Sequence, residues 1–196
     1  MIIHTVEQGT GPWLEARLGL PSASNFKKIL TSTGKPSSSQ DDYMLELCCE
    51  RLSGKPTSHF VNDDMQRGLD LENEAVETYE FINGTKTTVV GWVTDNDQRY
   101  GCSPDRMNLE VKCPRDKNHI KWKLGGKVPP DHLAQVQGCM WICEEDHWDF
   151  MSYNQDLGHF ICRAERDDKW IGLMEAEMEK FLRKIEKAMK KLKEIS

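Results

Sequence analysis

The chain has 196 residues, 38% of them hydrophobic and 30% charged, with 26 Lys and Arg against 32 Asp and Glu for a formal charge of −6. No run approaches the ~20 apolar residues of a spanning helix, which excludes a membrane-embedded protein, and six Trp, six Phe and four Tyr argue against wholesale disorder. The acidic balance excludes a protein that coats nucleic acid by bulk charge, while leaving room for an enzyme that meets DNA at one local patch.

At the N-terminus, MIIHTVEQGT has no basic flank followed by an apolar stretch, so no secretion signal is expected, and the seven Cys read as reduced thiols of a cytoplasmic protein. Ser22 or Ser24 is a candidate N-cap for a short helix carrying Phe26, Ile29 and Leu30 on one face. Residues 31–40, TSTGKPSSSQ, hold no apolar anchor and read as a surface loop. Helical spacing returns over 41–52 through Tyr43, Leu45, Leu47 and Leu52. It continues over 63–82, capped by Asp63 or Asp64, with Met65, Leu69, Val76, Tyr79 and Phe81 as the apolar side.

Residues 86–94, KTTVVGWVT, predict a strand, and a turn at 95–97 leads to a second over 99–103 and a third over 108–113. A helix over 129–142 with Pro near its start, strands around 147–153 and 159–165, and a long helix over 167–194 complete the order. Met174, Met178, Phe181, Ile185 and Leu192 give that last helix an apolar stripe to lay on the sheet, and Lys and Arg crowd its last turns. The expected class is α+β, one domain over 1–196 with a mixed sheet covered by helices.

The chemistry concentrates in Ser103-Pro104-Asp105 and, four residues on, Glu110-Val111-Lys112. On a strand, Glu110 and Lys112 project to one side while Val111 faces the core and keeps its carbonyl near them. If Asp105 lies across a hairpin from Glu110, their Cβ atoms come within about 5.5 Å. Carboxylates that close repel unless a cation lies between them, and their oxygens suit Mg²⁺ or Mn²⁺. A lysine alongside can orient or help deprotonate a metal-bound water, the usual plan of metal-assisted phosphodiester hydrolysis.

Alone, such a spacing is more often a surface salt bridge. Here it runs into Lys112, Arg115, Lys117, Lys121, Lys123 and Lys127, opposed only by Asp116, a local reversal of sign where a phosphate backbone can land. Trp122 among them is open to base stacking or to interior packing. Cys139 and Cys143, with His132 and His147 near in sequence, lack the four convergent ligands of a zinc site and read as buried thiols. No cysteine grouping has the tight spacing of an iron–sulfur cluster, and Cys102 and Cys113 read as packing residues.

CSPD (102–105) with LEVKCP (109–114) resembles motifs of the YqaJ-type viral recombinase nucleases, the phage lambda exonuclease family. RLGLPSAS (17–24), RGLDLENEAVETYEF (67–81), LGGKVPPDHLAQVQGCMW (124–141), FMSYNQD (150–156) and FICRAERDDKW (160–170) carry the same resemblance in the same order. It implies a PD-(D/E)xK restriction-endonuclease-like core. It also implies Mg²⁺-dependent 5′→3′ digestion of one strand of linear duplex DNA, leaving 3′ single-stranded tails for recombination by strand annealing.

Residue by residue, the resemblance makes Glu72 the distal metal carboxylate, Asp105 and Glu110 the central ligands with the Val111 carbonyl, and Lys112 the catalytic lysine. Gln135 positions the water or the scissile phosphate, and Arg17, Ser24 and Ser103 form a pocket for the terminal 5′ phosphate. Gln135 and Gln137 lie two apart on a helix, so at most one faces the site. Two Mg²⁺ ions per site are implied, with Mn²⁺ as a substitute. The implied partners are double-stranded DNA ends, two further copies in a homotrimeric ring, and a single-strand annealing protein.

In one place the sequence departs from the family. Only Arg106-Met107-Asn108-Leu109 separate Asp105 from Glu110, where the family has a longer hairpin. The expectation is a break in the ordered chain between 105 and 109. The alternative is a tight hairpin in which Arg106 pairs with Leu109 around Met107-Asn108, although Met suits a left-handed turn position poorly. Other readings are a catalytically weakened relative that holds DNA ends, an endonuclease of the same fold, and a metal-binding module unrelated to nucleic acid. The intact set Glu72, Asp105, Glu110 and Lys112 favours the active exonuclease.

Overall fold

The structure, a computed structural model, describes residues 1–57 and 63–195. In chain order the elements are β1 (Ile2–His4), α1 (Gly11–Ala16), a 3-10 turn (Ala23–Lys28), α2 (Gln40–Ser53), α3 (Asp63–Asn83), β2 (Trp92–Thr94), β3 (Gly101–Cys102) and β4 (Leu109–Lys112). They continue with α4 (Asp116–Gly125), α5 (Pro130–Cys143), β5 (His147–Asn154), β6 (Gly158–Glu165) and α6 (Asp168–Ile195). None of these helices is long and apolar enough to cross a membrane.

The expected strand meander divides between two sheets. The antiparallel sheet has order β1-β2-β3, and the mixed sheet has order β4-β5-β6, with β4 parallel and β6 antiparallel to β5. Of the strand expected over 86–94, only Trp92–Thr94 pairs. β3 is two residues long because Pro104, which has no N–H to continue a ladder, turns the chain away toward β4.

β5 is buried almost throughout, so both of its faces pack. Its odd positions Asp149, Met151 and Tyr153 join Leu109 and Val111 of β4 against Leu71, Ala75, Val76 and Tyr79 of α3. The even positions Trp148 and Phe150 face the main core, with α5 and α6. α5 touches β2 and β3 of one sheet and β5 of the other, and so joins them. A Cβ at Gly138 of α5 would lie 2.5 Å from the Phe26 ring, so only Gly lets α5 sit this close to the 3-10 turn.

Two crossed hydrogen bonds fasten α3 to β5. The Tyr79 hydroxyl of the helix donates to Asp149 Oδ2 of the strand at 2.7 Å, and the Tyr153 hydroxyl of the strand donates to Glu74 Oε1 of the helix at 2.5 Å. Arg163 Nε on β6 donates to Asp149 Oδ1 at 2.8 Å.

Several expectations need correction. Met65, Leu69 and Phe81 do not share the buried face of α3: Leu69 is 63% and Phe81 89% exposed, and the packed stripe is Leu71, Ala75, Val76 and Tyr79. Leu45 and Leu52 of α2 are likewise exposed, while Tyr43 and Leu47 are buried. Ser22, not Ser24, occupies the N-cap position of the 3-10 turn. Asp63 and Asp64 lie inside the first turn of α3, and the position before it falls outside the described residues. The stripe of α6 lies as expected, with Met174, Met178, Phe181 and Ile185 buried and Leu192 packed against the core.

Three elements went unread. β1 is three residues long, α1 is six with Pro near its start, and α4 has no apolar face, since His119 is its one buried residue.

Candidate active site

Between α3 and the β4–α4 connection lies a cleft of about 490 Å³, walled by Glu72, Asp105, Val111, Lys112, Arg115 and Trp122. The hairpin that leads into it is continuous, which overturns the expected break. Leu109 N–H donates to Arg106 O at 3.1 Å, and Arg106 N–H donates to Leu109 O at 3.4 Å. Asn108 alone takes the left-handed conformation, at φ 61°, so Met107 is spared the position that suits it poorly. Met107 N–H donates to Thr88 O at 2.9 Å and Asn108 Nδ2 to Glu145 Oε2 at 2.9 Å, fixing the turn from both sides.

This closure sets Asp105 beside β4, where its Oδ2 accepts the Val111 N–H at 2.7 Å. Glu110, fully buried behind the cleft surface, pairs through Oε1 with Lys112 Nζ and accepts Gln135 Nε2 at 2.6 Å. Its other oxygen, Oε2, is buried without a hydrogen-bond partner. The Gln pair divides: Gln135 faces Glu110, whereas Gln137 donates to Glu165 O at 2.8 Å and accepts the Asp167 N–H at 2.9 Å. Glu72 enters from α3 and lies 3.5 Å from Arg106 Nη1.

Burial, together with the nearby Asp105 and Glu72, pushes the Glu110 carboxyl up to about 7 despite the opposing Lys112 ammonium. Glu72 is raised by burial first and then by Asp105. For Lys112, burial alone would release the proton, but Glu110 and Asp105 reverse that and hold the amine charged. An orphaned buried carboxylate oxygen among three acidic side chains is what a hard divalent cation satisfies. Glu72, Asp105, Glu110 and the Val111 carbonyl could hold such an ion by donor chemistry. Among the described residues, though, no three acidic, His or Cys side chains already converge on one point. Glu72 is turned to Arg106, and one Glu110 oxygen to Lys112 and Gln135.

A second pocket, of about 180 Å³, is lined by Trp13, Arg17, Ser22, Tyr43 and Glu50. The Arg17 guanidinium lies 4.2 Å from the centre of the Trp13 ring and 5.6 Å from that of Trp92, and its Nη2 donates to Ser22 Oγ at 3.5 Å. Ser24 reaches this group only through Ser22, their hydroxyls 3.1 Å apart. Ser103 joins from the other side, its Oγ accepting Trp13 Nε1 at 2.8 Å. Ser103, which touches this pocket through Trp13, is two residues before Asp105 of the acidic cleft.

Sequence reading gave no site role to Arg106, Trp13 or Ser22, taking Arg106 only as a hairpin residue and Ser22 only as a candidate N-cap. Arg106 was legible as the residue next to Asp105 in a spacer too short to point it elsewhere, and Trp13 as the aromatic one helical turn before Arg17. Of the basic stretch, Lys117, Lys121 and Lys123 lie exposed on α4, and Arg115 just before it is paired to Asp64 across the cleft mouth. Trp122 packs edge-on to His132 and Phe150 at 5.1 and 5.9 Å while still lining the cleft. Cys102, Cys139 and Cys143 are buried thiols, with Cys102 Sγ 3.6 Å from Cys143 Sγ.

The alkaline exonuclease LHK-Exo of Laribacter hongkongensis superposes with a TM-score of 0.87 at 33% identity, covering 94% of this chain and 97% of that one. The LHK-Exo complex with dAMP gives 0.86 at 34% identity over the same shares. A phage-related exonuclease from Haemophilus somnus 129PT shares the fold at a TM-score of 0.71 and 14% identity, over 88% of this chain and 96% of its own. The chain therefore has the PD-(D/E)xK fold. Escherichia coli (strain K12) ExoD, itself uncharacterized, is 28% identical over 76 residues, 36% of this chain and 86% of ExoD. Residues 12–146 match the YqaJ-like viral recombinase domain, and the chain belongs to that family.

Proposed function

We propose that the chain is a nuclease, specifically an Mg²⁺-dependent 5′→3′ exonuclease that digests one strand of linear double-stranded DNA and leaves 3′ single-stranded tails for recombination by strand annealing. The observation that carries this reading is the buried, unpartnered Glu110 Oε2 beside Asp105, Glu72 and Lys112, in a cleft edged by the basic helix α4. Two Mg²⁺ ions, or Mn²⁺ in their place, would be held by Glu72, Asp105, Glu110 and the Val111 carbonyl. When bound, such ions neutralise the carboxylates, acidify water and polarise the phosphodiester.

The protein's own groups divide the remaining work. Gln135 holds Glu110 Oε1 and so fixes which carboxylate edge faces inward. Lys112 carries a proton at Nζ beside that edge, where it can orient the attacking water and meet charge developing on the leaving oxygen. Asp105 is held against the Val111 N–H, which aligns the Val111 peptide with the site. Arg17, with Ser22, Ser24 and Ser103 near it, offers guanidinium and hydroxyl donors to a terminal 5′ phosphate. Ser103-Pro104-Asp105 then sets how far that phosphate lies from the cleavage site.

This reading carries with it a homotrimeric ring around the duplex, a single-strand annealing protein as companion, and a cytoplasmic setting that keeps the thiols reduced. The deciding experiment incubates linear 5′-phosphorylated duplex and a closed circle with the protein, with Mg²⁺ and with chelator. Loss of one strand of the linear form alone, abolished by chelator, is the expected outcome. Cutting of the circle would make the protein an endonuclease, and binding of ends without cutting would make it an end-holding relative. Solution mass by light scattering checks the trimer.

A further inference from the structure

We propose that the Arg106 guanidinium stands in for the metal ion on the Glu72 side of the site and must be displaced when that ion binds, so that the two ions load unequally. This inference rests on the metal-dependent reading above.

The tight hairpin makes Arg106 part of the site. Its backbone is pinned by the pairing with Leu109, and Met107 beside it is anchored to Thr88. The side chain then has little choice: Nη1 donates to the Asp105 carbonyl at 2.5 Å and lies 3.5 Å from Glu72 Oε1, with the Arg106 side chain 16% and the Glu72 side chain 32% exposed.

The site thus holds three carboxylates and two internal cations, and the cations are unevenly placed. Lys112 takes one oxygen of Glu110 and leaves Oε2 without a partner, while Asp105 is held by a backbone N–H. On that half, a divalent ion finds an open oxygen and uncompensated negative charge. On the other half, Glu72 already faces a guanidinium that carries charge at any working pH and cannot deprotonate to step aside. It has to swing away. Among the described residues, the absence of a ready-made three-ligand cluster follows from the same arrangement, because Glu72 is turned toward the guanidinium.

The test is equilibrium binding of Mn²⁺ to the full chain without DNA, read by calorimetry and by the free-ion paramagnetic resonance signal. Wild type should bind one ion tightly and a second at least ten-fold more weakly. Arg106→Gln should tighten the second ion five-fold or more and leave the first within two-fold, while Arg106→Lys keeps the wild-type gap. Arg106→Ala, which also removes the charge, carries the same expectation should the Gln variant fold poorly. Equal affinities in wild type, or a second ion unmoved or weakened when the charge is removed, overturns the role given to Arg106. Glu72→Gln should delete the second ion and keep the first. A wild-type chain that binds no Mn²⁺ overturns the metal-dependent reading and this inference together. Loss of the Arg106 effect alone leaves that reading standing.

Discussion

The acidic cleft and the Arg17 pocket are built on opposite electrostatic plans. In the cleft, three carboxylates outnumber the internal cations, and one buried oxygen has no donor. In the pocket, the cation lies against two tryptophan rings, and among the described residues no carboxylate forms an ion pair with it. Burial lowers the Arg17 pKa, with Tyr43 and Glu50 only partly offsetting it, yet guanidinium stays charged. One region lacks a cation, and in the other Glu46 and Glu50 line the wall without pairing with the guanidinium. On the proposed reading, a DNA end brought in with divalent ions would complete both, and Ser103 and Asp105, two residues apart, would tie the two completions together.

The largest effect that could break this contrast is at Lys112. Lys112→Ala removes the ammonium paired with Glu110 and should slow single-turnover cleavage by about 10³-fold or more, roughly 4 kcal/mol of barrier. Mn²⁺ binding should survive, because every carboxylate remains. Cleavage at the wild-type rate would remove the cleft from the mechanism.

A mutation at Asp149 separates the regions through stability. This buried carboxylate accepts both Tyr79 on α3 and Arg163 on β6, so Asp149→Ala strands a hydroxyl and a guanidinium at once. A loss of about 3 kcal/mol is expected in denaturant unfolding, at the low end for a broken buried pair because Arg163 is largely exposed. As α3 carries Glu72, metal affinity should fall with it, while the preference for 5′-phosphorylated ends proposed for Arg17 should not change. Parallel loss of both would show that the two regions are not independently supported.

The cleft was more legible in the sequence than the pocket, for a physical reason. Asp105, Glu110 and Lys112 lie within eight residues, and period-two alternation on β4 dictates that Glu110 and Lys112 share a face. The pocket depends on Trp13 reaching Ser103 across 90 residues, a pairing that no local period encodes. The phase of α3 was misread for a related reason. Met65 and Leu69 look like core positions, but they line the cleft and are 48% and 63% exposed. α4 escaped notice because a helix that packs through His119 and Trp122 alone leaves no stripe to read.

Arg17→Ala comes next in size. It should slow digestion of 5′-phosphorylated ends by about 10–100-fold, the scale of one charge-assisted contact to phosphate, and barely affect 5′-hydroxyl ends. Equal slowing on both ends would strip the pocket of its anion and leave Arg17 a packing cation between Trp13 and Trp92.

The smallest effect concerns acid, and its sign sharpens the picture of the cleft. His132 packs against Trp122 and Phe150, and burial, then Lys112 and Lys27, push its pKa down to about 4. Between pH 6.5 and 4 the unfolded chain therefore takes a proton that the native ring refuses. The stabilisation is complete above pH 6.5 and drains away as pH falls through that window. Glu110 acts in the opposite direction: with its native pKa raised to about 7 from an ordinary 4.5, it favours the metal-free fold as acid is added. The two oppose each other between pH 4.5 and 6.5, so a wild-type profile alone is blunted there. The difference between wild type and His132→Asn isolates the ring. In metal-free denaturant titrations the variant should lose about 1–2 kcal/mol less than wild type on going from pH 7.5 to 4. Superimposable slopes would mean that burial beside Trp122 and Phe150 does not hold the His132 ring neutral in the native chain.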